Sequence, residues 1–231
     1  MGPGRREPGA GLRLIGGRSS TGAPSVAVTT DWPPSPLWRL GARFDGRMNL
    51  DVAQSSSSPF VRHPREIAAA VTLPVAAAAL VAPGTALLDT AGRSAVATAC
   101  AALATRMALV RFIGAASGPD LRAVRQFDPF TDPTPSAFHG RGPAPSRDRI
   151  RAAGARCTAV WHGWKQQGSP RDERRGVAGA VALGAWCSWA IGALTEAEVR
   201  AGYALDVVPD DALALVVHRS ARAGARPEWW G

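Results

Sequence analysis

The sequence predicts a mostly α protein, with a C-terminal antiparallel helical array behind an amino-terminal segment expected to be disordered. Three observations carry this. Helix-start and helix-stop signals alternate in register between Ser146 and Pro227. Apolar residues recur at intervals of three and four over residues 92–113. Residues 1–60, in contrast, combine Pro33-Pro34-Ser35-Pro36, repeated glycine and Ser55–Ser58 with no sustained period of two or of 3.6. Of the 231 residues 46% are hydrophobic, but alanine supplies much of that share and buries little area, so a modest ordered core is expected.

The elements follow in order. Met48 opens Met-Asn-Leu-Asp-Val-Ala-Gln, which reads more like a native start than the stretch before it. Residues 61–127 form an alanine-rich helical segment. Arg65 to Val81 favours helix, with Pro74 expected to kink or divide it and Pro83-Gly84 to end it. A second run covers 92–113, with Val96, Cys100, Leu103, Met107 and Val110 on one stripe and Arg106 and Arg111 off it on a solvated face. A short helix is expected at 119–127. Prolines 129, 133, 135, 143 and 145 then forbid any continuous helix, which makes 128–145 a linker.

Residues 146–226 are expected to hold four helices. Ser146 caps the first, which runs to about Gln167. Ser169 with Pro170 opens the next, which Gly192 closes. Thr195 and Glu198 form a capping box for the third, which Pro209 stops. Asp210 or Asp211 caps the fourth, which ends at Gly224 with Pro227 beyond.

Trp186 and Trp189 share a helical face. Reversal near Ala193 sets them beside Ala197, Ala201 and Ala204, large rings against small residues, as a structural core. Trp161 and Trp164 form the same pair one helix earlier, too far along the axis to merge with the first into one cage. Ala197, Ala204 and Pro209 stand at the offsets of the second helix of a tetratricopeptide repeat, so the hairpin resembles one such unit.

The run from Trp161 through Pro170, Gly184-Ala185-Trp186, Gly192, Ala204-Leu205 and Val208-Pro209-Asp210 to Pro227 resembles the C-terminal region of the domain-of-unknown-function 4192 family. Arg62 to Val71 echoes that family's opening segment. The family's strand-rich domain is replaced here by the alanine-rich stretch 76–104. The resemblance implies helices and a high-GC bacterial origin, with which the arginine-rich composition agrees, but no activity and no cofactor.

Chemistry is sparse. No phosphate-cradling glycine loop, His-Glu-x-x-His or Gly-x-Ser-x-Gly occurs. His63, His139, His162 and His218 are scattered, and Cys100, Cys157 and Cys187 make no Cys-x-x-Cys pair, so neither a metal site nor a cofactor is expected. The net charge of +9 is spread along the chain, which argues against a concentrated nucleic-acid interface. The exception is 139–175, where Arg147, Arg149, Arg151, Arg156 and Lys165 interleave with tryptophans as a candidate polyanion-binding patch. Ile67–Leu88 and Gly176–Thr195 are uncharged and of spanning length, but alanine, glycine and Pro74 make insertion marginal. The amino terminus shows no secretory pattern, and a cytoplasmic location is expected. The functional expectation is a non-enzymatic protein-interaction module with an unidentified protein partner. A weak nucleic-acid binder and a small membrane-associated protein are the alternatives.

Overall fold

The structure, a computed structural model, describes residues 64–84, 88–118 and 120–230. The expected disorder of residues 1–60 and the start at Met48 lie outside these residues. Seven α-helices and no strand occur among the described residues: α1 Pro64–Val81, α2 Thr90–Cys100, α3 Leu103–Ile113, α4 Arg147–Gln166, α5 Arg174–Ala190, α6 Leu194–Val207 and α7 Ala212–Arg222. Short 3-10 turns lie at Leu121–Ala123, Ser136–His139 and Glu228–Trp230.

α5 is the axis of the fold. Every residue from Gly176 to Ala190 is buried, and α2, α4, α6 and α7 pack around it. Its glycines let this happen. A Cβ at Gly176 would overlap the Ala97 carbonyl, and one at Gly179 would overlap the Cys100 carbonyl, so α2 rides on α5 backbone against backbone. Against α4 the small residues interlock. A Cβ at Gly154 would lie 3.1 Å from that of Cys187, and one at Gly184 would lie 3.0 Å from that of Cys157. The pairing reverses along the two chains, as antiparallel neighbours require.

Several expectations are corrected. α1 is not divided at Pro74 but runs through it. Pro74 sits on the exposed side, while Leu73, Ala76, Ala77 and Leu80 are buried and hold the helix on both sides of it. The run 92–113 is not one helix: α2 and α3 are bent by 114° at Ala101-Ala102. Thr105 Oγ1 donates to the Ala99 carbonyl, freed by that break, and to the Ala102 carbonyl, which also accepts from Arg106 N. The bend also turns Arg106 inward instead of onto a solvated face. The stretch 119–127 forms only the 3-10 turn at Leu121–Ala123. Residues 128–145, expected as a linker, carry the turn Ser136–His139 with Ala137 buried, and Glu228 N donates to Gly140 O at 2.8 Å. The described residues cluster as one compact unit.

The caps show which signals acted. Ser146 Oγ accepts from Arg149 N at 3.3 Å, and Asp211 from Ala214 N at 3.0 Å. Asp89 does the same for α2, accepting from Gly92 N at 2.7 Å. Gly168, Gly192 and Gly224 take positive φ of 81°, 84° and 67° after α4, α5 and α7, with the paired backbone bonds of a Schellman end. Ser169 therefore does not open α5. It completes the end of α4, itself left-handed at φ 61°, and α5 begins only at Arg174. The Thr195–Glu198 box does not form either. α6 starts at Leu194, so Thr195 is already helical, and Glu198 faces Arg222 at 3.6 Å.

Candidate functional site

Trp164, Trp186, Trp189, Ala197, Ala201 and Ala204 are buried, Trp161 is half-buried and Pro209 is exposed. Pro209 thus ends α6 without joining the core. The indoles of α5 reach away from the helical reversal. The Trp186 ring tip lies 3.3 Å from the position of a Cβ on Gly114, and that of Trp189 lies 2.8 Å from one on Gly140. Trp189 Nε1 donates to Ala225 O at 2.8 Å. The side of α5 that meets α6 presents Gly184 and Ser188, where Arg200 Nη1 donates to Gly184 O at 3.2 Å and Ser188 Oγ at 2.8 Å. Trp229 and Trp230, which the sequence reading passed over, both donate to Ala190 O, at 3.0 and 2.6 Å, and close the end of α5.

The basic patch is not a continuous face. Arg156 is buried and donates to Leu80, Ala82 and Gly84 carbonyls at 2.8, 2.7 and 3.0 Å. It supplies from α4 the donors that the end of α1 lacks. Arg149 binds Ile113 O at 2.9 Å and Ser117 O at 3.2 Å, closing α3 in the same way. Arg147 lies over the Trp230 ring at 3.8 Å, and Arg151 pairs with Asp148 at 3.2 Å. Of these five cations only Lys165 lies beside Trp161 and Trp164, 4.8 Å from the first ring and 5.1 Å from the second.

Two surfaces stand out among the described residues. The first is the outer side of α1. Ile67, Val71 and Val75 recur every fourth residue and are 48%, 72% and 59% exposed. No charged residue follows Glu66 on this helix. Its one hydroxyl, on Thr72, is spent on the Ala68 carbonyl at 2.8 Å and the Ala69 carbonyl at 3.2 Å. α1 is also the one described helix long and apolar enough by itself to cross a membrane, with mean hydropathy 1.4.

The second is a groove of about 560 Å³ between α4 and α6. Trp161 stacks on Tyr203 with centroids 5.7 Å apart and planes inclined by 26°, and also touches Trp164 at 5.3 Å. Trp164 Nε1 is held by Pro170 O at 2.9 Å. Tyr203, the only tyrosine of the chain, was not singled out in the sequence reading.

Elsewhere Arg106 and Asp211 form a buried pair, with Nη1 at 2.8 and 2.7 Å from the two carboxylate oxygens, tying α3 to the cap of α7. Among the described residues no three His, Cys, Asp or Glu side chains gather as a metal-binding group. The chain matches no family model, no curated protein and no solved structure.

Proposed function

We propose that the chain acts as a non-enzymatic interaction module that docks a helix of a protein partner along the outer side of α1. One observation carries this reading: an apolar stripe of Ile67, Val71 and Val75 on a helix face with no charge beyond Glu66. A face that only water covers ordinarily carries charged or polar side chains. Ile67, Val71 and Val75 at every fourth position, flanked by the small Ala68 and Ala78, form a ridge beside shallow grooves, the surface that a second amphipathic helix fits. The buried work of Arg149 and Arg156 counts against the polyanion alternative for segment 139–175, because those guanidinium groups already serve carbonyls. A lipid surface is the second occupant consistent with the hydropathy of α1.

A photo-crosslinking residue at position 71 or 75, introduced into the full chain in cells, tests the proposal. The expected result is one discrete heavier adduct with a second protein, absent when the crosslinker is moved to Val216 on α7 and lost in V71D/V75D without a fall in melting temperature. Adducts with lipid only, or with this chain only, would overturn it.

A further inference from the structure

The groove between α4 and α6 brings an aromatic wall and a cationic rim together. Its wall is aromatic. Trp161 and Tyr203 stack across the two helices, and Tyr203 remains 49% exposed, so its ring continues the stack toward solvent. Its rim is cationic. Lys165, one turn beyond Trp161, lines the groove together with Arg171 from the turn before α5 and Arg174 at the start of α5. Asp206 is the single acid there. Among the described residues none of the three cations is in an ion pair. Arg174 spends one nitrogen on Val207 O at 2.8 Å, which fixes its side chain against the groove. Lys165 is held over the two indoles.

A flat ring wall beside unpaired cations suits a ligand that carries a planar ring and an anionic group a few bonds away. The volume lies within the roughly 300–1,000 Å³ typical of small-molecule sites. We infer that this groove binds a nucleoside phosphate, its base stacked on Tyr203 and its phosphate met by Lys165, Arg171 and Arg174. An acidic peptide would satisfy the cations but leave the ring wall unused. The Trp161–Tyr203 stack therefore selects a base. The same chemistry is offered by a free nucleotide or by one residue of a single strand. The site lies on other helices than the face of α1, so either reading can fail without the other.

Isothermal titration of the full chain with AMP, ribose 5-phosphate, inorganic phosphate, TMP and an oligothymidylate tests the inference at two salt concentrations. AMP is expected to bind while ribose 5-phosphate and inorganic phosphate at equal concentration do not. Tyr203→Ala should weaken AMP by about five-fold or more, and Tyr203→Phe should restore it. Lys165→Ala and Arg171→Ala should weaken it and flatten its salt dependence, with melting temperature unchanged because both side chains are exposed. TMP as tight as the oligothymidylate would assign a free nucleotide, and a much tighter oligomer a strand. Either supports the inference. AMP binding that survives Tyr203→Ala, ribose 5-phosphate binding as well as AMP, or an oligoglutamate displacing AMP at equal concentration would overturn it.

Discussion

Cys100, Cys157 and Cys187 are all free and all buried where α2, α4 and α5 meet. Removal from water disfavours the thiolate, and burial pushes Cys100 and Cys187 from an ordinary value of 9.0 up to about 12 and Cys157 well above 9.0. Arg106 near Cys100 and Arg200 near Cys187 only partly oppose the rise. The native thiols are therefore inert. A disulfide-exchange reagent at pH 8 should label none of them in the folded protein and all three in denaturant. The linkage follows with a definite sign. Above pH 9 the unfolded chain sheds these protons while the folded one keeps them, so the thiols' contribution is complete below 9 and lost as pH rises toward about 12. The unfolding free energy from urea titrations at pH 8 to 10 should fall, by on the order of 1 kcal/mol per thiol at pH 10. A flat profile would show that the thiols are hydrated.

At the scale of the element, local chemistry was legible and its arithmetic was not. Ser146, Asp211, Gly192 and Gly224 act as read, because capping is settled within four residues. Ser169 and Thr195 carry the same letters but lose their roles to neighbours. Gly168 and Ser169 are consumed by the end of α4, and Leu194 starts α6 two residues too early for Thr195 to cap it. The role of the glycines in α5 was missed, since a glycine needed for approach by another helix looks in sequence like one that weakens its own. The two kinds separate by experiment. Gly179→Ala would drive a methyl into the Cys100 carbonyl and should cost about 3 kcal/mol. Gly202→Ala in α6 meets nothing within 4 Å and should stabilise by about 0.5–1 kcal/mol. Denaturant midpoints of the two variants should move in opposite directions, and equal shifts would refute the account of α5.

For the molecule as a whole, the helical class was readable because caps and periodicity are local, but which residues meet was not. A basic residue on α4 looks solvated until the end of α1, far away in sequence, supplies three carbonyls to Arg156. The aromatic groove was half visible. Trp161, Trp164 and Lys165 stand out on one helix, whereas Tyr203 joins them only after two chain reversals make α4 and α6 run alongside. The same long-range ties bear on cooperativity. Arg156 joins α4 to α1, Arg106–Asp211 joins α3 to α7, and Gly176 and Gly179 join α5 to α2, so helices before and after the proline-rich stretch 128–145 share one interior. Residues 64–127 and 146–226 should then unfold together, with calorimetric and van't Hoff enthalpies in a ratio of about one. Arg156→Ala leaves carbonyls at the end of α1 without their donor and should destabilise by about 3 kcal/mol. Because the interior is shared, the loss should lower the melting temperature of that single transition, and amide exchange in α2 and α5 should accelerate to the same degree. If α1 to α3 instead melt in a separate earlier step while α4 to α7 keep their original midpoint, the two halves are energetically independent and these ties do not couple them.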